Sequence, residues 1–183
     1  KKFGHWRDTH ARIYGTAVFT LQEIFIRDWN ASALKKVAKL DYAQDYFQLP
    51  EYDANRNVTM QIVADGPENF EEILHGGFIK MILAAEKRVW IQSPYLIPDD
   101  TMINALLIAV RSGIDVRIMI PCMPDHPFIY RATQYYANYL TKRGVKVYLY
   151  QEGFIHAKTV IMDDTIASFG TTNQDIRSYS LNF

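Results

Sequence analysis

His156 and Lys158 stand two residues apart, Asp163 follows five beyond the lysine, and Gly170-Thr171-Thr172-Asn173 begins seven after that. An imidazole that titrates near neutral pH beside an ammonium suits an anionic, oxygen-rich substrate. The lysine neutralises phosphate oxygens, and the histidine attacks or transfers a proton. Residues 154–162 read as a strand, on which alternate side chains share a face, so His156 and Lys158 are expected to project together. Asp163 falls in the turn after that strand, placed to brace the site by an ion pair rather than to touch substrate. Gly170 lets backbone come close to a ligand, while Thr171, Thr172 and Asn173 offer hydroxyl, amide and backbone donors to phosphate. Taken singly, each residue has an ordinary explanation: a half-buried histidine, a solvated lysine, a good Asp-Asp turn. For Lys158, a same-face pair beside a Gly-Thr-Thr-Asn loop weighs against the ordinary explanation.

The elements that must position them follow from periodicity. Val18, Leu21, Ile24, Phe25 and Trp29 mark a helix over 15–30, and 31–57 reads as a connector. A strand is expected over 58–64, then a turn at Asp65-Gly66-Pro67, then a helix over 70–86. A strand over 88–93 puts Val89 and Ile91 on one face and Trp90 on the other. Asp99 or Asp100 caps a helix that runs to Ser112 and ends at Gly113. A strand over 116–120, a loop over 121–127, a helix over 128–143 stopped by Gly144 and a strand over 145–150 complete the alternation. Residues 154–162 and 166–169 then form an antiparallel hairpin around Asp163-Asp164-Thr165. The sum is an α/β fold with a mixed, mostly parallel sheet flanked by helices. The expected division is an N-terminal tail and connector, 1–57, and a site-bearing domain, 58–183.

Composition narrows the function. Lys plus Arg and Asp plus Glu are 20 each, so the formal net charge is zero. A sequence-independent nucleic-acid binder usually carries a basic excess, so no nucleic-acid partner is expected. The lone Cys122 forms no internal disulfide, and no Cys/His cluster has zinc spacing, which points to a reducing compartment and no metal. No apolar run approaches the length of about 18 residues that spans a bilayer, so the chain itself reads as soluble. It opens on Lys1 rather than Met and closes on Leu181-Asn182-Phe183, as a piece of a longer protein would; membrane segments could lie upstream.

His156-x-Lys158-x4-Asp163, followed by Gly170-Thr171-Thr172-Asn173, resembles the HKD signature of the phospholipase D superfamily. The run from Gly153 to Phe183 resembles the bacterial cardiolipin synthases in particular. So do Trp6-Arg7-Asp8-Thr9-His10 with Gly15, Gln92-Ser93-Pro94-Tyr95-Leu96-Ile97-Pro98-Asp99, and Pro124-Asp125-His126-Pro127-Phe128. The resemblance implies a phospholipase D-like fold, one complete half plus the tail of the other, and a bacterial cell-membrane enzyme. It implies a metal-free, cofactor-free phosphatidyl transfer between two phosphatidylglycerol molecules through a phosphohistidine, giving cardiolipin and glycerol. His156, Lys158 and Asp163 take the catalytic positions. Asn173, Thr171, Thr172, His10, Tyr95 and His126 are the substrate and phosphate candidates; His10 could equally brace the cleft, and Tyr95 could sit in a rigid connector.

The partners implied are an anionic phospholipid and the membrane surface, although most of the twelve tyrosines and ten phenylalanines simply fill core. His75 reads only as a helix residue. The family uses two HKD motifs, and an acidic residue that supports the histidine follows its Leu-Asn-Phe. This chain holds one motif, so the missing first half or a second copy is needed, and alone the fragment is expected to be inactive or very weak. The competing readings are a homodimeric HKD phosphodiesterase or nuclease, and a non-catalytic fragment that binds anionic lipid.

Overall fold

The architecture is given by a computed structural model, which describes residues 4–34, 37–48, 58–66, 71–123 and 125–181. In chain order the elements are β1 (Trp6–Arg7), α1 (Ala17–Ser32), a 3-10 turn (Gln44–Tyr46), α2 (Ile73–Ala84), β2 (Arg88–Gln92), β3 (Leu96–Ile97) and α3 (Asp100–Arg111). They continue with β4 (Asp115–Pro121), α4 (Pro127–Thr141), β5 (Lys146–Tyr150), β6 (Phe154–Ile155), β7 (Thr159–Met162), β8 (Ile166–Phe169), β9 (Gln174–Asp175) and α5 (Ile176–Leu181). The chain divides into two compact units, one of residues Lys1–Thr9 with Asp65–Phe183 and one of His10–Ala64.

The smaller unit holds α1, whose expected helical spacing is observed with Ile26 fully buried. The Asn30 side chain donates to the Leu40 carbonyl and accepts from the Leu40 N–H, both at 2.8 Å, and ties the connector to the helix. The strand expected over 58–64 is absent. Val58, Met60 and Val63 are exposed there, and no described strand lies beside them to take their backbone groups. An apolar alternation without a ladder partner has no reason to stay extended. Residues 49–57 of the expected connector, Pro67 of the expected turn and the start of the expected helix at Phe70 lie outside the described residues.

In the larger unit a five-stranded sheet runs in the order β5-β4-β2-β7-β8. β2, β4 and β5 are mutually parallel, while β7 is antiparallel to both β2 and β8. The α3 and α4 crossovers supply the long connections that parallel neighbours require. Val89 and Ile91 are buried as the alternation predicts, and pack with Val116, Ile118 and Ile120 of β4 against Ile82, Leu106 and Leu140 of the helices. Asp99 caps α3 by accepting from the Met102 N–H at 2.9 Å, and Gly144 takes a positive φ of 99° just past α4. A Cβ on Gly144 would also stand 2.9 Å from Val110 Cγ1, so glycine is needed there twice over.

The expected strand over 154–162 is two strands. β6 pairs in parallel with β1, Trp6 opposite Phe154 and Arg7 opposite Ile155, and β7 pairs with β2. Between them, residues 156–158 carry no ladder, because the chain is leaving one small sheet for another. Gly153 makes the first pairing possible. Its φ is 120°, and a Cβ would fall 2.1 Å from the His5 carbonyl oxygen.

Candidate active site

The sheet brings the chemistry-bearing loops to one end. Gln92, last in β2, lies opposite Met119 near the end of β4 and opposite Thr159, first in β7; Phe169, last in β8, also faces Thr159. Residues 93–95, 122–123, 125–126, 156–158 and 170–173 therefore share the end where the parallel strands finish, the usual place for ligand contacts in such sheets. Gln92 also joins the pieces directly. Its Oε1 accepts from Arg7 Nη1 at 3.1 Å and from Thr159 Oγ1 at 3.3 Å, linking β1, β2 and β7.

His156 sits in the unpaired step between β6 and β7. Its N–H donates to the Arg7 carbonyl at 2.8 Å, and its ring nitrogen Nδ1 lies 2.7 Å from Asp8 Oδ2. The Trp6 ring packs against the imidazole at a centroid distance of 5.3 Å. The ring is thus held through one nitrogen, on a side chain that keeps 40% of its surface exposed. Partial burial raises the Asp8 carboxyl. The hydrogen bonds from His156 and the Thr9 N–H, with the nearby His156 and Lys158 charges, outweigh this and leave it below the usual carboxylate range.

His156 and Lys158 lie outside the ladders, so no strand pairing fixes the shared face expected of them. The two are joined instead by a bond between the Lys158 ammonium and the His156 carbonyl. Burial pushes the ammonium pKa down, and Asp8 opposes that shift. Asp8, His156 and Lys158 therefore form one electrostatic cluster: a carboxylate, an imidazole with its second nitrogen uncommitted to Asp8, and a cation.

Asp163 lies elsewhere in the turn, at φ 53°. Its carboxylate accepts from the N–H groups of Glu86, Lys87 and Arg88 at 3.1, 2.8 and 2.9 Å. Those donors, Arg88 first, hold its carboxyl below the usual range. The ion pair of this turn belongs to the neighbouring Asp164, 3.1 Å from Arg88.

Thr171 is exposed and Thr172 buried, and Asn173 has a buried Oδ1 with no hydrogen-bond partner among the described residues. Gln174 donates its N–H to Ser93 Oγ at 3.0 Å, and that hydroxyl donates to the Tyr95 carbonyl at 2.7 Å. Tyr95 in turn donates its phenol to Asp125 Oδ2 at 2.5 Å. Burial, then the Asp125 bond and the charges of Asp125 and Asp175, push the phenol up to about 12. His126 is exposed, and its N–H donates to Asp125 Oδ1 at 2.7 Å. His10 is exposed in the smaller unit. Pro124 lies outside the described residues, as do Asn182 and Phe183 of the run that resembles the family. Among the described residues no group of three or more His, Cys, Asp or Glu side chains is arranged to hold a metal.

Sequence reasoning missed Asp8, Gln92 and Asp125 as individual residues. Each stood inside a segment that resembles the family. Nothing in local periodicity pairs position 8 with position 156, which are 148 residues apart.

The family model described as "Cardiolipin synthase, PLD-like domain" matches residues 78–183. The cardiolipin synthase of Listeria monocytogenes serotype 4b (strain F2365) is 50% identical over 183 residues, covering 100% of this chain and 37% of the relative. The major cardiolipin synthase ClsA of Bacillus subtilis (strain 168) is 52% identical over 182 residues, again covering 37% of its own length. Among solved structures, NucT from Helicobacter pylori superposes with a TM-score of 0.50 at 22% identity, over 60% of this chain and 73% of that one. The chain spans little more than a third of the curated relatives it matches. With the HKD-type cluster at the end of a mixed α/β sheet, these likenesses place it: the chain belongs to the phospholipase D-like domain family of the cardiolipin synthases.

Proposed function

We propose that this chain supplies one half of a phosphatidyltransferase site that joins two phosphatidylglycerol molecules into cardiolipin and releases glycerol. The observation that carries the reading is the Asp8–His156–Lys158 cluster, an imidazole fixed through one nitrogen beside a cation. Asp8 keeps the ring oriented and stabilises positive charge on it, as a carboxylate does for a catalytic histidine elsewhere. Lys158, with Thr171, Thr172 and Asn173 on the neighbouring loop, neutralises the non-bridging phosphate oxygens as charge builds on them.

In the first step the free imidazole nitrogen of one HKD histidine bonds to phosphorus. The P–O bond to the head-group glycerol breaks, and that oxygen takes a proton from the second HKD histidine. In the second step the same group removes the proton from a hydroxyl of the acceptor phosphatidylglycerol. The new P–O bond forms as the P–N bond breaks. Two easier displacements replace one difficult one. Both need two histidines, and this chain holds one H-x-K-x4-D motif, so the second comes from another part of the polypeptide or from a second copy. Asp163 serves the site through architecture, by fixing the hairpin that follows Lys158. No helix among the described residues is long and apolar enough to cross a membrane. On this reading the cluster meets its lipid at a membrane surface.

A chimera tests this. The stretch of the Listeria cardiolipin synthase matched by this chain is replaced by the chain, and purified protein is given phosphatidylglycerol vesicles. Cardiolipin and glycerol should appear in equal amounts with the chimera, while the isolated chain should make little or none. A folded chimera that binds the vesicles and leaves phosphatidylglycerol intact would refute the assignment.

A further inference from the structure

The end of the sheet that carries His156 has a second polar group, and its chemistry is opposite. Tyr95, on the loop after β2, and Asp125, on the loop after β4, are joined by the 2.5 Å phenol–carboxylate bond. The Ser93 hydroxyl, which donates to the Tyr95 carbonyl, accepts from the Gln174 N–H, the residue after Asn173. β3, directly after Tyr95, pairs with β9, directly after Asn173, so the two loops are held side by side. Around His156 the free groups suit an anion. Around Tyr95 they are oxygen acceptors: both Asp125 oxygens and the phenol oxygen.

We propose that Tyr95 and Asp125 form a subsite for the hydroxyls of the glycerol head group, at the same end of the sheet as His156 and Lys158. This rests on the proposed phosphatidyl transfer and names what selects the alcohol. A phosphate cannot occupy the subsite, because its oxygens are acceptors too and Asp125 repels it. A vicinal diol brings two donors and two acceptors at once. Tyr95 donates its phenol hydrogen bond to Asp125 and, with its pKa pushed up to about 12, stays protonated at neutral pH, so the phenol acts as a fixed positioning group rather than a base. The carboxylate already accepts from Tyr95 and from the His126 N–H, which sets its orientation and leaves its remaining lone pairs for ligand hydroxyls. The two bonds thus preorganise the acceptor set before the lipid arrives.

Competing alcohols test the proposal in the Listeria chimera. Exchange of isotopically labelled glycerol into phosphatidylglycerol, read as label entering the lipid, is measured against formation of phosphatidylpropanol from 1-propanol, with ethanolamine as a third acceptor. Glycerol should be preferred. Asp125→Asn and Tyr95→Phe, both close to isosteric, should each lower the glycerol-to-propanol ratio about tenfold, the order of one hydrogen bond. The ratio is read within one sample, so partial misfolding does not move it. If both rates fall together and the ratio holds, Tyr95–Asp125 is only a latch between loops and the subsite is overturned. Preference of the unsubstituted chimera for ethanolamine over glycerol would overturn it too, in favour of an ammonium site. An unsubstituted chimera that neither transfers nor hydrolyses phosphatidylglycerol would overturn the transferase reading itself, before any substitution is made.

Discussion

The two ends of the H-x-K-x4-D motif, His156 and Asp163, are seven residues apart and live in different physical worlds. At one end, His156 and Lys158 sit where the backbone has left its ladder, with a half-exposed imidazole and a half-buried ammonium. At the other, the Asp163 carboxylate is consumed by three backbone N–H groups of residues 86–88. One end keeps valences free for a ligand and the other spends them on the fold. A motif that reads as one catalytic unit in sequence is, on the proposed function, a reactive pair and an anchor. The anchor matters to the pair because β7, which starts at Thr159, is held on β2 at its far end by the same turn.

Substitutions separate the two ends, and the largest effect belongs to the imidazole. On the proposed transfer, His156→Gln removes the group that bonds to phosphorus or protonates the leaving oxygen. Cardiolipin formation by the chimera should fall on the order of 10⁴-fold or more, with the melting temperature little changed. Activity within tenfold of the unsubstituted protein would detach His156 from the chemistry.

Asp8→Asn comes next. It preserves shape but removes the charge that orients the ring, and turnover should fall on the order of 10²–10³-fold, within the range such partners contribute. The effect should also depend on pH. The folded Asp8 carboxyl titrates below its ordinary value, so its contribution is complete above that value and fades as pH falls through the depressed one. The gap between Asp8→Asn and the parent protein should close in acid. A gap that is constant with pH would mean Asp8 acts by shape alone.

Lys158→Met sharpens the comparison further. Losing a charge that meets phosphate oxygens should lower turnover about 10²-fold. Burial lowers the ammonium pKa, which means the fold resists the charge rather than benefits from it. The melting temperature, followed by circular dichroism, should therefore hold or rise as activity falls. A clear drop in melting temperature would make Lys158 a structural residue.

Much of this was legible in the sequence, and the failures have physical reasons. The β2-α3-β4-α4-β5 alternation was readable because each element carries its own signal: Val89 and Ile91 at period two, Asp99 before a helix, Gly113 and Gly144 after one. The candidate residues His156 and Lys158 could be proposed from sequence because the motif is local. The dyad with Asp8 was not, since it needs β1 to pair with β6 across the length of the chain, and a two-residue strand has no periodicity to detect. The same pairing broke the long strand expected over 154–162. The strand expected over 58–64 failed for the converse reason, a good local pattern with no neighbour to use it.

Asp163 gives the test with the smallest effect on turnover and the clearest sign. Its carboxyl is lowered from 3.8, first by the Arg88 N–H and then by that of Glu86. The unfolded chain therefore holds this proton to higher pH than the fold does, and stability rises with pH through that interval. The contribution is fully present above the unfolded value and is lost as pH falls through the folded one. Asp163→Asn keeps a residue type that tolerates the positive φ of 53° while removing the charge. Its melting temperature should be lower than that of the parent chain at pH 7, and the difference should narrow below about pH 4 as the parent's own carboxyl takes a proton. Turnover per folded molecule should fall far less than in the Lys158→Met protein. Asp163→Gly, which also accepts the backbone angle but has no acceptor at all, should be less stable than Asp163→Asn at both pH values. Equal melting temperatures for all three proteins, joined to a loss of turnover as large as that of His156→Gln, would place Asp163 with the reactive pair and erase the division between the two ends of the motif.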